Sequence, residues 1–356
     1  ALDSHRMTDI TTTLVERIRA AHAAKTPLAI RGGGSKSFYG GAIQGETLDI
    51  TGHHGIIDYE PRELVLTVRA GTPLTVVEAA LQKENQMLPF EPPHFGGGAT
   101  IGGTVATGLS GPRRASAGAV RDFVLGARIV SGTGEDLSFG GRVIKNVAGY
   151  DVSRLMCGAM GTLGVLLDLS FKVLPRPADE VTLQFEMDEA TAIHRFNEWA
   201  GKPLPLSATS WHEGVARVRL SGTRAGVAAA REKLGGDIVA DGVAHWLALR
   251  DHRSAFFSTP EMWRLSVPST TAAMNLGAAP LIEWGGALRW IAGMQDAAGL
   301  RKTVASAGGH VTLFRGGDKS AGVFHPLEPV LARIHRNLKN AFDPENILNR
   351  GRMDNF

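Results

Sequence analysis

Apolar positions recur at helical spacing between residues 8 and 24, at Ile10, Leu14, Ile18 and Ala21. They predict an amphipathic helix with Thr8 or Asp9 as its cap. Residues 27–30 are a short apolar run that reads as a strand leading into Arg31 and three glycines. A second strand is predicted over 64–68, and Thr72-Pro73 opens a helix through Lys83. Strands are predicted over 128–130 and 166–173, with a short helix over 151–156 between them. Pro175-Arg176-Pro177 marks a boundary. Beyond it glycine thins, and strands over 181–185 and 215–220 alternate with helices over 189–199 and 224–233. A second round has strands over 263–267, 281–284, 288–292 and 311–314 and a helix over 297–306. This texture implies an antiparallel sheet with helices on one face. Two rounds suggest an internal structural duplication, though no repeated sequence marks it. A last helix over 327–341 stops at Phe342-Asp343-Pro344.

Composition narrows the classes. With 356 residues, 43% of them hydrophobic, the chain can build two or three ordinary domains. The formal net charge is +3. Lys and Arg do not cluster: Arg113-Arg114 and the stretch 333–339 are short and mixed with apolar residues, so nucleic acid is not an expected partner. Cys157 is the only cysteine, which rules out an intrachain disulfide and a four-thiolate iron–sulfur cluster within the chain. A reducing compartment fits. No apolar run approaches the ~18 residues of a spanning helix. The N-terminus shows no signal-peptide core, and ALDSHR (1–6), ahead of Met7, is set aside as an added leader.

The 44 glycines are concentrated in the first half. Glycine-dense loops cost conformational entropy, and close approach of backbone N–H groups to phosphate oxygens is one reason to keep them. The first tract is Arg31, Gly32, Gly33, Gly34, Ser35, Lys36 and Ser37, directly after a strand. Its spacing fits neither a Walker A loop nor a Rossmann fingerprint. It reads as a pyrophosphate cradle or as a plain flexible loop. The second tract is 96–108, where Ile101 and Val105 stand among Gly, Ala and Thr. It reads as backbone on which a planar ring can lie flat, or as tight strand packing.

Together these tracts resemble the FAD domain of the vanillyl-alcohol-oxidase (PCMH-type) superfamily. The resemblance is carried by PLAIRGGGSKSFYG (27–40), ATIGGTVATGLSGPRRASAGAVRDFVLG (99–126), NVAGYDVSRLMCGAMGTLGVL (146–166) and the closing FDPENILNRGRM (342–353). It implies an α+β fold: a two-subdomain FAD domain over 7–175, an antiparallel α+β cap over 176–326, and a C-terminal segment, 327–356, that returns to the FAD domain. It also implies that residues 31–37 hold the pyrophosphate of FAD. Pro89, Thr100, Ile101, Gly102, Gly103, Ala106, Thr107, Gly108 and Ser110 would line the ribityl chain and ring. Gly161, Gly164 and Val165 would approach through backbone, and Asn349 to Arg352 from the tail. Lys36 and Ser37 stand where some members carry a flavin-linking histidine, which implies non-covalent FAD. Cys157, in an apolar stretch, reads as core.

Within the superfamily the chain is similar to the E-subunit family of bacterial glycolate oxidases, also called glycolate dehydrogenases. That resemblance implies an FAD-dependent oxidoreductase subunit that works with a larger FAD-containing D-type subunit and an iron–sulfur F-type subunit. The complex would oxidise glycolate or D-lactate to the 2-oxoacid and relay electrons, in the cytoplasm or at the inner face of the membrane. A self-sufficient 2-hydroxyacid oxidoreductase, a non-catalytic scaffold and a nicotinamide-dependent reductase remain alternatives. The chain lacks the H-x-G-D-G-N-x-H type metal motif of related dehydrogenases, and its twelve histidines share no ligand spacing, so no metal is expected. A 2-hydroxyacid needs a cation for its carboxylate and a base for its hydroxyl. Arg289 and Arg315, in cap strands, and His310, near Arg315 in sequence, are the candidates, with a solvated strand face as the plain reading.

Overall fold

The computed structural model describes residues 8–141 and 150–353. The chain divides into two units. The first takes the chain up to Leu109, Ala119–Pro175 and the chain from Pro326 onward; the second takes Ser110–Gly118 and Arg176–His325. The sequence put 110–118 with the flavin tract. In the structure Arg113 pairs with Glu180 at 2.8 Å and Ser116 Oγ donates to the Ser207 carbonyl at 3.0 Å. Those bonds tie the segment, with its short helix α4 (Arg114–Ala117), to the second unit.

The first unit opens with α1 (Thr11–Ala24), which buries Leu14, Ile18 and Ala21. Asp9 accepts the Thr11 amide at 2.9 Å, so Asp9 is the residue that quenches a donor at the helix start. That bond, with the Thr11 hydroxyl, holds the Asp9 carboxyl down at about 2. The chain then lays β1 (Leu28–Arg31) parallel to β2 (Glu46–Asp49). Strands β3 (Ile56–Glu60) and β4 (Val65–Arg69) precede α2 (Leu74–Lys83) and the short β5 (Gln86–Met87). Helix α3 (Ile101–Thr107) is followed, after α4, by β6 (Val124–Val130), β7 (Asp136–Gly140), α5 (Val152–Leu155), β8 (Val165–Lys172) and β9 (Leu174–Pro175). The main sheet is antiparallel in the order β3-β4-β8-β6-β7. All of β4 is buried, and β8 nearly so, while β7 alternates exposed and half-buried. The apolar runs at 65–68 and 165–167 are therefore central strands, covered on both faces.

Helix α3 departs from the strand-packing reading of the second glycine tract. Thr100 caps it by accepting the Gly103 amide at 3.2 Å. A side chain at Gly102 would stand 2.7 Å from Ala70 Cβ, so the small residues there serve close packing of helix on strand. Two adjacent glycines carry poor helix propensity, which hid the element from periodicity.

The C-terminal helix α10 (Pro329–Phe342) is anchored by one buried ion pair. Lys339 is 3% exposed and Asp343 0%. Lys339 Nζ donates to Asp343 Oδ2 at 2.6 Å, to the Thr162 carbonyl at 2.8 Å and to the Leu348 carbonyl at 3.0 Å. Asp343 in turn accepts the amides of Ile347 and Leu348 at 3.0 and 2.7 Å. Burial pulls the Lys339 ammonium below its usual value, and the Asp343 charge opposes that.

The second unit is an eight-stranded sheet with antiparallel pairing between the registered neighbours. Its first half runs β10 (Asp179–Glu186), α6 (Glu189–Ala200), β11 (Leu206–His212), β12 (Val215–Gly222), α7 (Arg224–Leu234) and β13 (Asp237–Ile238). Helix α8 (Gly242–Arg250) leads to the second half: β14 (Met262–Ser266), β15 (Leu281–Glu283), β16 (Leu288–Ala292), α9 (Ala297–Ser306) and β17 (His310–Arg315). The spatial order is β13-β10-β12-β11-β15-β16-β14-β17. Numbering strands within each half, both halves read fourth, first, third, second, and they meet at their second strands through the β11–β15 pairing. The duplication is thus topological, and residues 267–280 replace the first crossover helix in the second copy. Each half has its own apolar cluster: Leu183, Phe196, Val218 and Val227 in one, Trp263, Ile291, Val304 and Val311 in the other.

His252 stacks on Phe257 with ring centroids 3.8 Å apart and meets Trp290 edge-on. Burial first, then the charges of Arg315 and Arg264, bring its pKa down to about 3.

Two expectations follow. Lys339→Met leaves Asp343 as a buried, uncompensated charge and should lower unfolding stability by about 3–5 kcal/mol; an unchanged denaturation midpoint would remove the pair from its anchoring role. The unfolded chain protonates His252 near its ordinary 6.5, the folded chain only near 3. Stability is therefore full above 6.5 and falls as pH drops toward 3, at no more than about 1.4 kcal/mol per pH unit. His252→Phe should flatten that acid slope in melting curves recorded from pH 6.5 to 4, and an identical slope in the variant refutes the assignment.

Candidate cofactor site

A cavity of about 350 Å³ lies within the first unit. Its walls are the end of β1 with the loop Arg31–Ser37, one side of α3, the segment around Met160 and Gly161, and the tail residues Asn349 and Arg352. Ile30, Ile43, Ile50 and Leu166 give it an apolar floor.

The two glycine tracts close on each other backbone to backbone. A Cβ at Gly33 would fall 1.4 Å from the Gly98 carbonyl oxygen, and one at Gly32 would fall 2.6 Å from Thr100 Oγ1. No larger residue fits either place without parting the loops. Among the described residues, the amides of Gly32, Gly33, Gly34 and Ser35 donate to no protein acceptor. Successive unspent amides in a glycine turn form an anion-binding concavity. Lys36 is buried beside them, its Nζ 3.4 Å from Ser35 Oγ and 5.8 Å from the Phe95 ring centre.

The tail fixes this loop. Asn349 Oδ1 accepts the Ile30 amide at 2.7 Å, its Nδ2 donates to the Met160 carbonyl at 2.7 Å, and its own amide donates to the Leu28 carbonyl at 2.9 Å. Arg352, also buried, donates to the carbonyls of Ser37 at 3.0 Å, Lys36 at 3.2 Å and Gly41 at 3.3 Å. Burial lowers its guanidinium to about 10. Its hydrogen bonds make Arg352 a clamp on the loop's carbonyl side, which leaves the loop's amides for a ligand.

Of the residues singled out from sequence, Arg31 to Ser37, Thr100, Gly102, Gly103, Ala106, Thr107, Gly161, Gly164 and Arg352 line this cavity. Thr100, Gly103, Ala106 and Thr107 recur at helical spacing, so one face of α3 is turned to it. Ile101, Gly108, Val165, Pro89 and Ser110 do not line it. Ile101 points into the core, Gly108 is the left-handed cap that ends α3, and Val165 alternates with the lining residues Gly164 and Leu166. Pro89 is buried before Phe90, and Ser110 belongs to the second unit. Sequence reasoning missed Ile43, Thr47, Ile50 and Met160. Thr47 sits on β2, whose mixed sequence ETLD gave no strand signal. The motif residues 146–149 lie outside the described residues.

The arginines put forward for a substrate carboxylate are occupied. Arg289 is 0% exposed, not on a solvated strand face. Its guanidinium donates to the carbonyls of Ala272 at 2.9 Å, Gly286 at 3.3 Å and Thr271, with Glu189 at 3.7 Å. Arg315 donates to the Phe257 and Thr259 carbonyls at 2.6 and 3.0 Å. Spent on backbone, neither offers its donor fork to a ligand. His310 begins β17 opposite Ser266. Among the described residues no histidine or cysteine lines the cavity. Burial pushes the Cys157 thiol up to about 12, which makes it a poor nucleophile. Among the described residues no group of three or more His, Cys, Asp or Glu is placed to hold a metal ion.

A glycine cradle and a small-residue helix face around one cavity, in a chain that also carries a separate antiparallel α+β unit, define an FAD-binding fold of the PCMH type. Residues 10–140 match the family model of the FAD binding domain. The solved alkyldihydroxyacetonephosphate synthase superimposes with a TM-score of 0.65 at 14% identity, covering 95% of this chain and 75% of that one. Glycolate oxidase subunit GlcE of Escherichia coli (strain K12) is 48% identical over 349 residues, 98% of each chain. This chain belongs to that GlcE family of FAD-dependent oxidoreductase subunits. A D-lactate dehydrogenase of Anaerostipes hadrus is 32% identical over 42% of this chain and 30% of its own length. Glycolate oxidase subunit GlcD of Bacillus subtilis (strain 168) is 30% identical over 43% of this chain and 33% of its own.

Gly33→Ala overpacks the contact with Gly98. The expected cost of about 1–3 kcal/mol in the loop-closed, ligand-ready state should lower flavin content of the purified protein by about tenfold. Absorbance at the flavin bands per mole of chain measures this, with circular dichroism to confirm the fold. A folded variant with full flavin content counts against the cradle.

Proposed function

We propose that this chain holds FAD without a covalent bond and serves as the FAD-binding subunit of a glycolate oxidase complex. The observation that carries the reading is the 48% identity to GlcE across 98% of both chains. The cavity's donor set fits the cofactor. Four unspent amides at Gly32 to Ser35, with Lys36 beside them, suit a pyrophosphate, and the α3 face of Thr100, Gly103, Ala106 and Thr107 suits a flat ring and its chain. Among the described residues the cavity wall carries no histidine or cysteine, which supports the non-covalent reading.

Bound at this site, FAD supplies a two-electron acceptor for oxidation of a 2-hydroxyacid such as glycolate or D-lactate. The chain's own part is to bind and orient. The loop amides neutralise the phosphates, Arg352 and Asn349 hold the loop in its binding shape, and the apolar floor excludes water. In this reading the partners are a D-type FAD subunit and an iron–sulfur F-type subunit, with electrons relayed toward the latter. Among the described residues no helix is long and apolar enough to cross a membrane.

The test uses the purified chain under anaerobic conditions. Acid precipitation should release intact FAD into the supernatant, and glycolate should bleach the flavin once the D and F partners are added. Colour that stays with the precipitate overturns the non-covalent reading. Bleaching by glycolate with no partner favours a self-sufficient oxidoreductase, and absence of any flavin favours a scaffold.

A further inference from the structure

With Arg289 and Arg315 committed to backbone, the second unit's sheet holds a different arginine in reserve. Residues alternate faces along a strand. On β14, Trp263 and Leu265 pack into the apolar cluster with Leu300 and Val304 of α9. Arg264 and Ser266 therefore stand on the opposite face, which they share with Trp290 and its aromatic neighbours His252 and Phe314. Arg264 is registered against Trp290 on β16 and Thr312 on β17. His310 lies two residues from Thr312 on that same face.

Arg264 is half-buried, yet among the described residues no carboxylate, hydroxyl or carbonyl accepts a hydrogen bond from its guanidinium. What holds it is an aromatic ring. Its guanidinium carbon lies 5.4 Å from the centre of the Trp284 indole, and that of Arg114 lies 4.4 Å from the same ring. Trp284 is itself fixed, its Nε1 donating to the Gly111 carbonyl at 3.1 Å. The Trp290 indole beside it is also satisfied, donating to Glu283 at 2.8 Å. A guanidinium held near an indole by cation–π attraction spends none of its N–H donors there, so its fork stays able to recognise a carboxylate through two parallel bonds. Two guanidiniums at one ring repel each other, and an anion on the fork relieves that repulsion.

We propose that Arg264, preorganised on Trp284, binds the carboxylate of a small 2-hydroxyacid, with Thr312 and His310 as the hydroxyl-side neighbours on that face. This assignment rests on the 2-hydroxyacid reading of the chain and names the residue that would recognise its substrate.

The test titrates oxalate, an unreactive dicarboxylate of similar size, into the flavin-loaded full chain by calorimetry. Flavin absorbance per chain verifies loading in every variant. Arg264→Gln should weaken oxalate binding by about tenfold or more. Arg264→Lys, which keeps the charge and loses the fork, should fall between the two and serves if the glutamine variant does not fold. Arg217→Gln, removing a half-buried arginine of β12 whose guanidinium makes no hydrogen bond or ion pair among the described residues, should bind as the parent does. Neutral oxamide should not bind. In the assembled complex Arg264→Gln should raise KM for glycolate more than it lowers kcat. Unchanged oxalate affinity in both Arg264 variants, or a loss that follows Arg217 instead, overturns the assignment. So does a parent chain that binds no oxalate. In that last case glycolate turnover by the complete complex separates the two failures: turnover leaves the 2-hydroxyacid reading standing, and its absence removes both.

Discussion

The cofactor loop keeps its shape because a segment from the far end of the chain is bolted to it. Lys339 and Asp343, buried together, gather Thr162, Ile347 and Leu348 into one polar knot. From that knot the tail runs beside β1, where Asn349 caps the Ile30 amide and Arg352 takes three carbonyls of the loop. A turn rich in glycine has many conformations to lose on ordering. Here the cost is met by contacts spread over the tail, so the ligand need not order the turn by itself. Removing one ion of the pair exposes the arrangement to the full penalty of a lone buried charge, which makes the knot a point of failure for cofactor affinity as well as for stability.

This division of labour explains what the sequence disclosed and what it concealed. Gly33 and Gly98 were legible as glycine tracts, and the alternating texture after Pro175 was legible as sheet and helix. The partner of each glycine was not. The Gly33–Gly98 contact joins residues far apart in sequence, and the Asn349–Ile30 bond spans nearly the whole chain. Local spacing carries no information about such pairs. Helix α3 was hidden for a different reason: close packing on Ala70 selects glycines whose intrinsic preference opposes the helix. Tertiary contact overrides propensity there, at the wall of the site.

The fate of the arginines shows the same limit from the other side. Arg289 and Arg264 both lie on strands of the second unit, and their sequence contexts do not separate them. Register separates them. Arg289 shares its face with Ile291 of the apolar cluster and must satisfy its donors internally, on carbonyls of Thr271, Ala272 and Gly286. Arg264 shares its face with Trp290 and Thr312 and keeps its donors. A one-residue shift in register would exchange the two roles, because strand faces alternate with a period of two.

The topological duplication gives that register a wider consequence. Helices α6, α7 and α9 pack on one face of the sheet, through the clusters around Phe196 and Val304. On the other face α8 meets Thr182 and Ser210 through Trp246 and His245, and Trp290 and Phe314 join His252 and Phe257 in an aromatic cluster. In the second half, residues 267–280 stand where a crossover helix would otherwise be, and they supply the carbonyls that absorb Arg289. A copy that lost a helix needed another way to close its core. A buried arginine bonded to loop carbonyls does that, which accounts for an ion at 0% exposure on the helix side of the sheet. The chemistry-bearing arginine is then the one the core did not need.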